Sequence, residues 1–231
     1  MPSFKRREPS KNLQSSRPAR TSHAQAAASP RSLDRRGAIV RAARDLVEQA
    51  GFRDAQMAAI AERAGVALAT LYRYFPSKVE LMIEVVDFVS QRELAIAAAA
   101  GGAGRALDRL QASAWTFASR ALKGRKMAHA LLAEPVEPEI EAARQTYRRK
   151  FARVFETIIE DGIRSQELAS QNIQAAGACI VGSLVEGLIG PLALESGASL
   201  EERLEQAREI VGFCVRGVGD NGARSPKAAG A

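Results

Sequence analysis

Three observations predict an all-α protein of about nine helices. Apolar residues recur at spacings of three and four over most of the chain beyond residue 32. Glycine, proline and capping residues cut that pattern into helix-length pieces. No stretch alternates apolar and polar residues as a half-buried strand does. At 231 residues and 46% apolar composition, the chain can bury a core in one large domain or two small ones. The expected layout is a basic arm over 1–31, a three-helix head over 32–76, a second helical domain over 77–219 and a tail over 220–231.

Residues 1–31 are rich in Ser, Pro, Ala and Arg without apolar periodicity, a composition that predicts disorder. They lack the apolar run of a secretory signal, although an Arg- and Ser-rich, acid-poor segment also loosely fits an organelle transit peptide. Over 1–36, Lys5, Arg6, Arg7, Lys11, Arg17, Arg20, Arg31, Arg35 and Arg36 stand against only Glu8 and Asp34. That excess accounts for the whole net charge of +7, so the rest of the chain is balanced. A basic arm of this kind is an attractor for phosphate.

Ser32 or Asp34 is placed to cap the first helix, whose inner face reads Ile39, Ala42, Ala43, Leu46, Val47 and Ala50. Gly51 occupies the position of a left-handed helix end, with Phe52 ready to pack back on the last turn. A second helix from Asp54 or Ala55 turns Met57, Ile60, Ala61 and Ala64 inward. Gly65-Val66 is a tight link to a third, Ala67 to Arg73, which Pro76 stops. This is helix-turn-helix architecture. The third helix is too short to stand alone. It presents Thr70, Tyr72, Arg73 and Tyr74, with Lys78 beyond, groups that donate hydrogen bonds, stack and neutralise phosphate. Those chemistries together are what a DNA-recognition helix needs. Tyr72 and Tyr74 stand two apart, so at most one points inward, and Leu71 with Phe75 is the better core pair. Lys78 opposes the dipole at the start of the next helix, which a phosphate contact would explain.

Ser77-Lys78-Val79-Glu80 is a capping box that opens a long fourth helix to about Ala99. A fifth helix covers about Arg105 to Leu122 and a short sixth about Lys126 to Ala133. Pro138 suits the first turn of a seventh, which ends at Gly162. Asn172 caps an eighth helix crowded with small residues. Interior glycines cost roughly 1 kcal/mol each, so close approach of another helix is expected there. A membrane span is the rival for this run, opposed by Glu186, the glycines and Pro191. Glu186 must face solvent, pair or hydrogen bond. The ninth helix, about Leu200 to Val218, carries a coiled-coil-like seam of Leu200, Leu204, Ala207, Val211, Cys214 and Val218.

An enzyme reading finds little support. There is no Gly-rich phosphate loop, no metal-spaced His and Cys set and no G-x-S-x-G, so no catalytic residue, metal or cofactor is expected. Cys179 and Cys214 form no disulfide framework and read as small packed hydrophobes, with a redox switch as the alternative. A reducing compartment fits them.

Positions 37 to about 86 resemble the N-terminal domain of the TetR/AcrR transcriptional regulators. The carriers are Gly51-Phe52, Ile60-Ala61-Glu62-Arg63-Ala64-Gly65-Val66, and Thr70-Leu71-Tyr72-Arg73-Tyr74-Phe75-Pro76-Ser77-Lys78-Val79-Glu80-Leu81. The resemblance implies a cytoplasmic, nucleoid-associated homodimer that binds a double-stranded DNA operator. It is usually a repressor released by a small effector held in the C-terminal domain. It places DNA contacts on Gln56, Leu68, Ala69, Thr70, Tyr72, Tyr74 and Lys78, beside Arg73, Arg35 and Arg36. Ala67 stands where the family often has a capping serine, and Ala55-Gln56 where it often has two threonines. Both departures remove a hydroxyl and shift phosphate binding toward the arm. Gln56-Met57 and Tyr-Arg-Tyr-Phe-Pro-Ser-Lys are similar to the heads of members that control lipid and steroid breakdown.

In the C-terminal domain, Phe88, Arg92, Trp115, His129, Tyr147, Phe151 and Phe155 are candidates to line a pocket for an apolar or amphipathic effector. For the aromatic residues and His129 an ordinary core is the plain alternative. Ile180, Leu184, Gly187 and Leu188 of the eighth helix, with Leu204, Val211 and Cys214 of the ninth, are candidates for a four-helix dimer seam. Two other classes stay open. One is an activator or a regulator that needs its ligand to bind DNA. The other is a head that no longer reads DNA, on a module for lipophiles or proteins. A gel shift with and without ligand separates the first, and sequence-independent, fully salt-sensitive binding would mark the second.

Overall fold

The computed structural model describes residues 30–195 and 197–219. Among the described residues the protein is all helix, with no strand: α1 (Pro30–Asp54), α2 (Met57–Arg63), α3 (Leu68–Tyr74), α4 (Lys78–Ala100), α5 (Ala106–Lys123), α6 (Arg125–Leu132), α7 (Pro138–Arg164), α8 (Ile173–Leu192) and α9 (Leu200–Gly219). The arm expected over 1–31 lies almost wholly outside the described residues, and the tail over 220–231 entirely so.

The helix starts follow local chemistry, with one correction. α1 begins at Pro30, ahead of Ser32, so neither Ser32 nor Asp34 caps it. A proline's fixed φ suits a first helical turn as well as a capping side chain does. The break expected at Gly51 is present, with a positive φ (φ 83°, ψ 177°), and a further single turn follows to Asp54. Elsewhere the expected caps hold. Ser77 Oγ accepts from the Glu80 amide at 3.1 Å, and Asn172 Oδ1 from the Ala175 amide at 2.9 Å. Ser199 and Glu202 complete a reciprocal capping box on α9: the Glu202 amide donates to Ser199 Oγ at 3.2 Å, and the Ser199 amide to Glu202 Oε2 at 2.7 Å. The two backbone and side-chain bonds to Ser199 hold the Glu202 carboxyl below its ordinary pKa.

Two apolar clusters form the interior. One joins Ile39, Val47, Phe52, Ile60, Leu71 and Phe75 of the head to Leu81, Met82, Val85 and Val86 of α4, and on to Met127, Ala130, Ile140 and Tyr147. The other packs α5, the rest of α7, α8 and α9 around Leu110, Phe155, Ile159, Leu184 and Leu188. The first cluster therefore runs through the boundary drawn at residue 76. Burying α1–α3 draws on apolar cover from α4, α6 and the start of α7, because so short a stretch of chain encloses little core of its own.

α8 is long and apolar enough, by length and composition, to cross a membrane. Its Ile180, Val181, Leu184, Val185, Leu188 and Leu192 are nonetheless buried inside the protein. Gly177 is where another helix comes close: a Cβ there would lie 3.1 Å from the Ala152 carbonyl oxygen and 2.7 Å from Glu156 Cγ of α7. Gly182 and Gly190 meet nothing, so close packing within the protomer does not explain them. Glu186 is exposed, the first of the three outcomes open to it.

The head is fastened to the body at the break in α1. The resumed turn after Gly51 leaves bare amides, as any helix start does. Glu134, in the loop after α6, fills that gap: its Oε2 accepts from Phe52 N and its Oε1 from Arg53 N, both at 3.0 Å. At the other end of the turn, Lys78 Nζ donates to the Arg53 carbonyl at 2.7 Å. An anion at the amide end and a cation at the carbonyl end both match the local dipole. Arg144 of α7 braces the loop from below, donating from Nη1 to the Glu134 carbonyl at 2.8 Å and from Nη2 to the Ala130 carbonyl. Its guanidinium also stacks over Phe52, 5.4 Å from the ring centre. Gly51 is required twice, by its positive φ and because a Cβ would fall 2.6 Å from the Glu134 carboxylate.

Glu134→Ala should lower unfolding free energy by roughly 1–3 kcal/mol, the scale for stranding charge-assisted backbone bonds. Urea denaturation measures this. Gly177→Ala should also destabilise, by roughly 1–2 kcal/mol, since overpacking against the Ala152 carbonyl outweighs the gain in helix propensity. An unchanged midpoint in either variant contradicts the packing described.

Candidate DNA-binding face and ligand cavity

The helix-turn-helix is built by backbone rather than by side-chain caps. At the end of α2, Gly65 N donates to the Glu62 carbonyl and Val66 N to the Ala61 carbonyl, both at 3.0 Å. Gly65 takes a φ of 66° to make that turn. Gln56 and Ala67 sit at the cap positions of α2 and α3 without a side-chain cap bond, as the missing hydroxyls imply. α3 is held by Leu71 and Phe75, both essentially buried in the head core. Its opposite side is open: Leu68 is 42% and Tyr72 45% exposed, Ala69 and Arg73 are exposed, and Thr70 is half-buried at the edge. Gln56 is exposed beside it. An apolar tip, a hydroxyl, a phenol and a guanidinium on one short helix are groups of the kinds that contact base edges and phosphates.

Three of the sequence-predicted contacts sit differently. Tyr74 is half-buried and packs on the head core, while Tyr72 stays exposed, in keeping with their two-residue offset. Lys78 is half-buried and spends its ammonium on the Arg53 carbonyl, so its place at a helix start needs no phosphate to account for it. Arg36 is paired in fork geometry with Glu84 of α4, Nη2 to Oε2 at 2.9 Å, and stacks 4.7 Å from the Phe75 ring centre. The hydrogen bond to Glu84 raises the Arg36 pKa. That guanidinium ties α1 to α4, whereas Arg35 is exposed.

The body encloses a cavity of about 380 Å³ between α4, α5, α6, α7 and α8, walled on its head side by Arg44 and Glu48 of α1. That volume lies within the range of sites for small organic ligands. Its apolar wall includes Phe88, Phe117, Phe151, Phe155, Leu184 and Val185. Phe117 and Phe151 meet edge to face, their centres 4.9 Å apart. Arg44, Arg92, Arg120, Lys123, Arg144 and Arg148 also line it, against Glu48 and Glu93. Tyr147 contributes a hydroxyl that donates to Asp87. Burial, then that bond, pushes its pKa up to about 12, so the phenol stays protonated at neutral pH.

Of the residues proposed for a pocket, Phe88, Arg92, Tyr147, Phe151 and Phe155 line this cavity. Trp115 and His129 do not. Trp115 lies in a separate shallow groove between α5 and α9, with Arg208 stacked 5.2 Å from its ring centre. His129 is half-buried on α6 and away from the lining, because the apolar stripe of that helix is carried by Met127, Ala128 and Ala130. The residues not anticipated are Arg44, Arg120, Lys123, Arg144, Arg148 and Glu134. Arg144 had a visible signal: it interrupts the buried stripe Ile140, Tyr147, Phe151, Phe155 at helical spacing.

The seam expected on α8 and α9 also needs correction. Ile180, Leu184, Leu188, Val211 and Cys214 are buried within the protomer, where α9 packs on α5 and α8. Leu204 is partly buried against the same core, and Gly187 faces Ile210. A lone α9 stripe must be covered by its own chain first, and α5 supplies the cover. What these helices leave outside is different: Phe213 at 64% exposure, Ile189, Leu200 and Cys179. Burial raises the thiol pKa of Cys214.

Residues 39–85 match the family model of bacterial regulatory proteins of the tetR family. Over 53 residues the chain is 49% identical to the transcriptional repressor KstR of Rhodococcus jostii. That stretch is 23% of this chain, and the chain spans about a quarter (25%) of the length of this curated relative. FadR of Bacillus subtilis, solved with stearoyl-CoA, has a similar fold at a TM-score of 0.67 and 19% identity, over 79% of this chain and 98% of that one. FadR of Bacillus halodurans, a fatty acid degradation regulator, aligns with TM-score 0.67 and 17% identity over 87% and 100%. The head carries the sequence likeness, to bacterial regulatory proteins of the tetR family over residues 39–85, and most of the chain carries the likeness of fold.

Proposed function

We propose that this protein is a transcriptional regulator of the tetR family, a cytoplasmic homodimer that represses transcription from a palindromic operator and is released by a small apolar or amphipathic effector. The observation that supports this most is shared walls: α1 carries the head and also, through Arg44 and Glu48, closes the cavity. The outward set Gln56, Leu68, Ala69, Thr70, Tyr72 and Arg73 reads the major groove. Arg35 and the basic residues of 1–31 neutralise backbone phosphate. Two copies joined through the outer faces of α8 and α9, centred on Phe213 and Ile189, set the recognition helices about 34–36 Å apart, one turn of DNA.

Release follows from the same contacts. An effector in the cavity touches Met127, Ala128, Leu131 and Leu132 of α6 and Arg144 of α7. Those residues lead directly into the loop whose Glu134 holds the Phe52 and Arg53 amides. Occupancy that favours one position of α6 thereby favours one position of the head. The effector acts by shifting the balance between spacings that fit and do not fit the operator. The Bacillus subtilis FadR, of similar fold, was solved in complex with stearoyl-CoA, which supports an effector with a long apolar chain.

Footprinting of the DNA upstream of the protein's own gene tests the proposal. A protected palindrome with half-sites about 10 base pairs apart is expected; no protection at any salt concentration rejects it. Phe213→Glu should convert the dimer to a monomer in sedimentation and abolish that footprint. A variant that stays dimeric moves the interface elsewhere. Deleting residues 1–31 should weaken binding to all DNA sequences and flatten the dependence on salt. Unchanged affinity and slope leave the arm without a role.

A further inference from the structure

The cavity's charge is not balanced by its own walls. Arg120 is satisfied by Glu93, with bonds of 2.6 and 2.8 Å, and Arg44 by Asp45. Arg144 and Arg148 share one carboxylate, Glu141, at 3.3 and 3.4 Å. Arg92 and Lys123 have no acidic partner among the described residues. The imbalance is sharpest where water is least available. Arg144 is only 5% exposed, and its Nε is buried without a hydrogen-bond partner. Arg148, one turn along the same face of α7, has its Nε in the same condition. An unpartnered buried N–H is costly, and more so on a charged group. Two such donors one helical turn apart, both on residues lining one cavity, match the several acceptor oxygens of a carboxylate or phosphate. Burial also lowers the Arg144 pKa, the mark of a guanidinium short of compensating anions.

We infer that the cavity takes an amphiphile with an anionic head, a carboxylate or a phosphate, held by Arg144 and Arg148, while its apolar part lies along Phe88, Phe117, Phe151 and Phe155. Arg92 and Lys123 add positive field that draws the anion in. The assignment rests on the cavity being the effector site and narrows the effector's chemistry. It also supplies a trigger. Arg144 already donates to the Glu134 and Ala130 carbonyls. An anion bound to Arg144 competes for those donors and loosens the loop that carries Glu134.

Isothermal titration of the full chain without DNA, with decanoate, decyl phosphate and decanol, tests this. At least one anion should bind about tenfold or more tighter than the alcohol, the scale of one charge-assisted hydrogen bond. Which anion wins identifies the head group. In Arg148→Gln that preference should fall to within about threefold, with decanol affinity unchanged. Arg148→Lys should keep part of it, because charge remains and the planar fork is lost. Equal affinity for the alcohol, no binding of either anion, or a full preference surviving in Arg148→Gln overturns the inference. If Arg148→Gln does not fold, the comparison of anion with alcohol on the unaltered protein decides by itself. A protected operator in the footprint with no anion preference leaves the repressor reading standing and removes only this one.

Discussion

A single carboxylate fastens the head of this molecule to its body. Breaking α1 at Gly51 frees the amides of Phe52 and Arg53 from the helix ladder. The acceptor comes from the body, through Glu134. A helix end left bare would cost free energy wherever the head sat. Because the capping group is on another element, the head has one favoured seat. The seat is defined by charge and hydrogen bonding as well as by apolar contact. Arg144 makes the coupling two-sided, since the residue that braces Glu134 also lines the cavity.

The body divides its helices by what each face must cover. α8 and α9 turn their continuous apolar stripes inward, against α5 and α7, and keep a sparse set of exposed apolar residues outside. A periodic seam in sequence therefore reports that a helix is covered, without saying by whose chain. The glycines of α8 divide the same way: Gly177 admits α7, while a Cβ at Gly182 would meet open space.

Much of this was legible beforehand. Helix number and order followed from periodicity and punctuation, since each break uses a residue with a physical reason to break: Gly65, Pro76, Asn172. The reading side of α3 followed from the four-residue spacing of Leu71 and Phe75. Contacts between distant elements were not legible. Glu134 reads as loop, and only the fold brings it to residue 52. Arg36 and Lys78 read as free cations until Glu84 and the Arg53 carbonyl arrive beside them. Trp115 and His129 failed as pocket residues because aromatic type says nothing about which side of a bundle is hollow.

Amide hydrogen exchange in Arg144→Leu tests the central claim most directly. If Arg144 holds the loop that holds the head, the amides of Phe52 and Arg53 should exchange at least about tenfold faster than in the unaltered protein. Amides in α5 and α9 should keep their protection. Unchanged exchange at Phe52 and Arg53, or an equal loss across α5 and α9, would contradict a local joint between head and cavity.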